Sequence, residues 1–459
     1  MADDAESTDP GSGDADSADA ASSSVFEIIR VPVLALIAGV VAGFVGGGFR
    51  WCLERLDSVR IDLFQWSHGI TLGWLIPIAV SAAAAAVGAG IGRWVPLSAG
   101  SGIQHVEAVD RGQADPPPLR VVPARFVGGL VSIGLGGLVL GREGPTVHMA
   151  AAIGAAVGRY ARVTIREVRE LQTVLSGAGL AVAFNAPVSA TIFVFEEVTK
   201  RVRVRDTVAT MFAAATAVGC SRLILGDHPD FVVEQIGAPA LTTLPIFAVF
   251  GLVMGLIGVA YTRTILGCMS LFDQVTSVSP IVKAAAIGAI IGAALYLNPL
   301  SAGGGDGLSQ DLLFGHSFAI VGLLGLIAFR FVAGPLSYSA GTPGGLFAPI
   351  LALGTLSGFL FNELVAVAVP GLHTDLRIAL ALVGMTTLFA AVVQAPFTGI
   401  VLAIEMTAVT GATIPMLVGT GVAMIVARVA DSPPIYDALR ERMLRSGTVG
   451  PPAAPGPLS

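Results

Sequence analysis

Between residues 31 and 427 the chain is a succession of apolar runs, most of them closed by glycine or proline and not by a polar amphipathic segment. The runs cover 31–49, 72–91, 121–140, 171–195, 207–225, 241–261, 280–297, 317–332, 346–370, 377–404 and 413–427. A bilayer-crossing helix needs about 20 mostly apolar residues. These runs therefore predict an all-α polytopic protein whose solvent is a membrane. Only 13% of residues are charged, about half the share in a soluble domain. A soluble enzyme with so many buried helices would need polar faces between the runs, and few are present.

The ends differ in character. Residues 1–24 carry acids, no base, and otherwise mostly Ala, Ser and Gly, which reads as a disordered acidic tail. No basic segment precedes an apolar stretch there, so a signal peptide is not expected. The formal net charge of −6 resides in this tail. The body, 25–445, is close to neutral, and its charge points to no nucleic-acid partner. Residues 446–459 read as a second disordered tail. An acidic tail with only two lysines, Lys200 and Lys283, fits either a salt-adapted source or a GC-rich genome. Cys52, Cys220 and Cys268 lie in or beside apolar runs with no metal-ligand spacing, so neither a metal site nor a cofactor is expected.

An internal repeat divides the body into halves of about 30–226 and 240–445. Asn185-Ala186-Pro187 is followed by an apolar stretch that reaches Glu196, Glu197 and Thr199, and Gln394-Ala395-Pro396 by one that reaches Glu405 and Thr407. Upstream, Gly141–Pro145 and Gly345–Pro349 share a G-x-x-x-P frame. Paired interrupted segments at matching positions point to a binding site between transporter repeats. Broken backbone at membrane depth is tolerated only where it is buried in protein or lines a cavity.

Four short stretches carry the candidate chemistry. In Gly100-Ser101-Gly102-Ile103 the glycines permit a sharp turn and the serine resembles a helix cap whose hydroxyl can donate; alone it reads as an ordinary capping loop. Gly141-Arg142-Glu143-Gly144-Pro145 places two opposite charges at a membrane break, which is costly unless they function; the alternative is a loop-end pair facing water. Pro145 suits the first helical turn, where its missing N–H costs nothing. Gly344-Gly345-Leu346-Phe347-Ala348-Pro349 has no charge, yet free amides at a helix start make an anion site. Fractional charges let an anion leave as well as arrive. Tyr436, after Pro433-Pro434-Ile435, offers a neutral hydroxyl donor or an interfacial anchor.

These four stretches in this order resemble the signature of the CLC family of chloride channels and chloride/proton antiporters, over about residues 30–445. Ala183–Pro187, Ala395–Ile400 and Glu405-Met406-Thr407 are also similar to family sequences. The resemblance implies two inverted-topology repeats, broken helices aimed at a central chloride, and a homodimer with one pore per subunit in the cell membrane. Chloride-binding positions would be Gly100, Ser101, Gly102, Ile103, Arg142, Gly144, Leu346, Phe347, Ala348 and Tyr436, with Glu143 as the gating glutamate. A carboxylate mimics chloride and carries a proton, so one side chain could couple the two ions.

Glu197 matches the position at which antiporters of the family carry an inward proton-relay glutamate. The alternative is that Glu196 and Glu197 sit together at a solvated helix end near Lys200, Arg201 and Arg203. The implied function is chloride/proton antiport, with a passive voltage- or pH-gated chloride channel as the alternative. A membrane-embedded enzyme built on Glu143 would need a nucleophile or metal ligands that the sequence does not offer. Ser101 resembles the chloride-preferring version of its motif, since nitrate-preferring relatives tend to have proline there. Gln104 departs from the pattern, where many members have proline. His148 is expected to be a packing residue.

Overall fold

The computed structural model describes residues 12–233, 236–301, 303–315, 318–368 and 376–447, with side chains from Ile29 onward. The tail 446–459 thus lies almost wholly outside the described residues, as do residues 1–11 of the acidic tail and the side chains of its remainder. The helices of the first half are α1 (Ser12–Ser67), α2 (Leu75–Trp94), α3 (Ile103–Asp110), α4 (Val121–Gly129), α5 (Glu143–Tyr160), α6 (Ile165–Phe184), α7 (Pro187–Phe193) and α8 (Val204–Leu225). The second half contributes α9 (Leu244–Gln274), α10 (Pro280–Leu297), α11 (Asp306–Leu313), α12 (Ile320–Ser339), α13 (Phe347–Ala368), α14 (Arg377–Val393), α15 (Pro396–Thr407), α16 (Thr413–Val429) and α17 (Ile435–Arg445). Among the described residues seven helices are long and apolar enough to cross a membrane, α1, α2 and α8 in the first half and α9, α10, α12 and α13 in the second.

Three apolar runs are not single helices. Run 171–195 breaks at Asn185 (φ 51°) and run 377–404 at Gln394 (φ 65°). Both residues end a helix in the left-handed conformation, and both are followed by Ala-Pro, with Pro187 and Pro396 opening the next helix. Proline is pre-organised for that first position and cannot continue the previous helix. Run 121–140 is helical to Gly129, continues as a π-helical segment over Leu130–Leu135, and then opens into irregular backbone. An apolar count cannot detect these breaks, because each sits inside an otherwise uninterrupted apolar composition.

Helices pack through small residues. A Cβ placed on Gly43 of α1 would lie 2.8 Å from the Ala217 Cα of α8, so only glycine allows this approach. In water a helix pair gains from burying apolar area; in lipid, close backbone contact takes that role.

The broken segments of the two halves are tied together by backbone. Gly100 N–H donates to Thr342 O (3.0 Å) and Gly344 N–H to Gly100 O (3.3 Å). Gly141 N–H donates to Gly345 O (2.9 Å) and Gly345 N–H to Gly141 O (2.8 Å). These two bridges bring the starts of α3, α5 and α13 to one place.

The halves also exchange helix caps. Glu405, at the end of α15, accepts from Val188 N–H (3.0 Å) and Ser189 N–H (2.7 Å) at the start of α7. Glu196 returns the arrangement at α15, accepting from Phe397 N–H (3.0 Å), Thr398 N–H (2.6 Å) and the Thr398 hydroxyl (2.7 Å). A carboxylate on the first amides of a helix satisfies orphan donors and meets the positive end of its dipole. The interval of nine residues from Pro187 to Glu196, repeated from Pro396 to Glu405, is thus the reach of a reciprocal clasp.

Candidate functional site

Glu143 is the first residue of α5 and is fully buried. Its Oε1 accepts from Phe347 N–H at 2.6 Å, across the junction of the two halves. Its Oε2 is buried with no hydrogen-bond partner. The carboxylate lies over two glycines: a Cβ on Gly141 would stand 2.6 Å from the Glu143 Cδ, and one on Gly345 2.7 Å from it. Both glycines are therefore required for the carboxylate to occupy this position.

Ser101 approaches the same point from the α3 side. A Cβ on Gly144 would meet Ser101 Cα at 2.9 Å. Ser101 does not cap α3; Gly102 (φ 86°) holds that position without a side-chain bond, so the capping expectation for the serine is corrected. The reason is the turn itself: a left-handed cap residue directs the preceding side chain away from the helix amides. Ser101 Oγ and the Tyr436 hydroxyl are buried, and neither makes a hydrogen bond of normal length. They are near neighbours all the same. A buried, unpaired hydroxyl costs free energy. Tyr436 also lies within electrostatic reach of the Glu143 carboxylate, so hydroxyl donors from α3 and α17 stand near it.

Aromatic rings pack around Phe347 beside these groups. The Phe347 ring lies 5.6 Å from the Tyr436 ring, 4.7 Å from Phe389, 5.8 Å from Phe193 and 6.5 Å from Phe184. Phe184, Phe193 and Phe389 were not singled out by sequence. They belong to the two broken runs, and the breaks at Asn185 and Gln394 are what bring them here.

Not every anticipated chloride-binding position keeps a free donor. The Gly100 N–H is already given to Thr342 O. The Arg142 guanidinium is spent on Asp230 Oδ2 (2.7 Å) and Ala183 O (2.8 Å). Asp230, itself buried, also takes Arg50 at 2.8 Å. Gly102, Ile103, Gly144, Leu346 and Ala348 contribute backbone to the same junction.

The two adjacent glutamates separate completely. Glu196 is the cap described above. Glu197 is 1% exposed, and its carboxyl lies within hydrogen-bond reach of the Glu107 carboxyl. Its nearest charged neighbour is Glu107 of α3, also buried, whose Oε2 accepts from Arg440 at 3.2 Å. Beyond them Asp437 accepts from Arg440 (2.7 Å), Arg111 (3.0 Å) and Lys200. Glu197 therefore does not lie at a solvated helix end. It lies between the Tyr436 region and a charged network at the start of α17.

A second buried network underpins the Ser101 turn. Arg125 donates to the carbonyls of Leu97 (2.9 Å), Gly100 (2.9 Å) and Ser101 (3.0 Å). Its Nε donates to His148 Nδ1 at 2.6 Å, and His148 Nε2 is 3.0 Å from His105 Nδ1. Arginine only donates, so His148 Nδ1 is an acceptor and its Nε2 carries the hydrogen. His148 is thus more than a packing residue; it accepts from the arginine that holds these carbonyls. Among the described residues no cluster of His, Cys, Asp and Glu could hold a metal.

The family described as voltage gated chloride channel matches residues 83–428. The chain belongs to that family. The CLC chain is similar to the H(+)/Cl(−) exchange transporter ClcA of Vibrio parahaemolyticus, 35% identical and covering 91% of this chain and 90% of that one. The ClcA of Salmonella arizonae is 32% identical, covering 91% and 89%. Among solved structures, a slow cyanobacterial Cl−/H+ antiporter superposes with a TM-score of 0.84 at 30% identity, over 91% of this chain and 98% of that one.

Proposed function

We propose that this multi-pass CLC protein exchanges chloride for protons across the cell membrane, with Glu143 as the gate. One observation carries the reading. The Glu143 carboxylate accepts from the Phe347 amide across the repeat junction, with the Ser101 and Tyr436 hydroxyls nearby. That amide is the donor a dehydrated chloride would use. Chloride and carboxylate then compete for one seat, and whichever arrives displaces the other. A displaced or protonated carboxylate no longer needs the amide, so proton uptake and chloride binding favour the same open state.

Chloride would be held by the Ser101 and Tyr436 hydroxyls and the amides of Leu346, Phe347 and Ala348, without a full positive charge. No free cation is required, since the Arg142 guanidinium is engaged elsewhere. Glu197 would pass protons between Glu143 and the side of the membrane to which α17 belongs. Its burial beside the Glu107 carboxyl supports that role over a surface one. The protein would act as a homodimer with one such path per subunit.

The test is a flux assay on purified protein in liposomes, recording chloride and protons together. An imposed chloride gradient should drive protons against their own gradient. Chloride flux that leaves vesicle pH untouched would replace the antiporter by a passive channel.

A further inference from the structure

Ser101 has a partner that the transport reading does not use. Tyr338, on α12 of the second half, is 4% exposed, and its hydroxyl oxygen accepts the Ser101 N–H at 3.3 Å. A Cβ on Gly100 would lie 3.1 Å from that hydroxyl and 3.6 Å from Gln104 Nε2, so both side chains end above the same glycine. A cavity of about 350 Å³ opens from this point toward α17, lined by Gly100, Gly102, Gln104 and Tyr338 at one end and by Arg442 and Asp273 at the other.

We propose that Tyr338 is a built-in competitor for the anion, its hydroxyl oxygen holding the Ser101 amide on the side reached from the α17 cavity. An anion arriving through that cavity gains this amide only by displacing the hydroxyl. The proposal deepens the chloride reading of the same site and rests on it.

The physical case is one of unequal acceptors. At 3.3 Å the bond is long and both partners are neutral. An anion accepting the same N–H makes a charge-assisted bond, shorter and roughly twice as strong. The tyrosine therefore loses to an anion but subtracts from the anion's net gain. Gln104 makes the competition effective, because its amide stands beside the hydroxyl above Gly100 and holds it there. The residue that departs from the family pattern in sequence is thus the one that stands beside the competitor.

The design has a use in exchange. Chloride that binds too tightly leaves slowly, and an internal acceptor ready to retake the amide favours departure toward the α17 side. The tyrosine needs no titration for this, only a small swing of its ring.

The decisive variant is Tyr338→Phe, which removes the hydroxyl and keeps the ring. Chloride binding to purified protein, measured by titration calorimetry, should tighten about three- to tenfold, the range of one neutral hydrogen bond. The chloride concentration at half-maximal flux should fall by a similar factor while the maximal rate does not rise. Gln104→Leu, which leaves the tyrosine unrestrained, should move affinity in the same direction by less. Weaker binding in Tyr338→Phe would make the hydroxyl a donor to the anion, and unchanged binding would make it a bystander; either overturns the proposal. Should Tyr338→Phe not fold, the Gln104→Leu affinity decides by its sign. Absence of any chloride binding in the unmodified protein would instead defeat the transport reading itself.

Discussion

Among the described residues three carboxylates meet the amino ends of helices across the repeat junction, and they do so in two different ways. Glu196 and Glu405 engage both oxygens, each on successive amides of the helix they cap. Glu143 engages one oxygen on one amide and leaves the other without a partner. The pairs at α7 and α15 are closed bonds that hold two halves together. The contact at α13 is half made, and a half-made contact in a buried site is one that a competing ion can break. The same side chain, set on the same kind of helix terminus, serves as a clasp or as a gate according to how many of its lone pairs the surroundings satisfy.

The largest effect expected from this difference is at the gate. Glu143→Ala should reduce coupled proton movement by roughly a thousandfold or more, within the range of a lost proton-transfer group. Chloride flux should persist, since the amide it needs is then uncontested. Simultaneous pH and chloride recording in liposomes checks both halves of the statement. Retained coupling would end the assignment of Glu143.

Glu197→Ala should also suppress proton movement, by roughly a hundredfold, because Glu197 is buried beside Glu107. Chloride flux should again survive. Its neighbour sharpens the contrast: Glu196→Ala removes the α15 cap and should lower stability by about 1–2 kcal/mol, read as a drop in thermal unfolding temperature, with the proton-to-chloride ratio unchanged. A changed ratio in Glu196→Ala would erase the distinction between clasp and gate.

The sequence discloses the gate far better than the clasp. Glycine and proline around Glu143 and around Phe347 mark helix starts, and a carboxylate in an apolar setting is conspicuous by its cost. The repeat and the paired Ala-Pro breaks are equally plain. What sequence cannot supply is the partner of each group. Glu196 and Phe397 are 201 residues apart, so the cap exists only after the halves have folded against each other. The adjacent Glu196 and Glu197 look alike in a run of letters, yet one faces α15 and the other Glu107. Phe184 and Phe389 are hidden for a related reason, since nothing in an apolar run marks which rings meet Phe347. Tyr338 and Arg125 act on the Ser101 turn from elements distant in the chain.

The smallest expected effect concerns selectivity at Ser101, where the site offers the anion hydroxyls in place of a closed carboxylate. Ser101→Pro deletes a hydroxyl and an N–H together, whereas Ser101→Ala deletes the hydroxyl alone. If the two donors contribute separately, each removal shifts anion preference by about fivefold, one neutral hydrogen bond. Ser101→Ala should then lower chloride affinity modestly, and Ser101→Pro should go further and move preference toward nitrate. Reversal potentials in mixed chloride and nitrate check the order. Identical behaviour of the two variants would mean that the Ser101 N–H, which donates to the Tyr338 hydroxyl, is never surrendered to the ion.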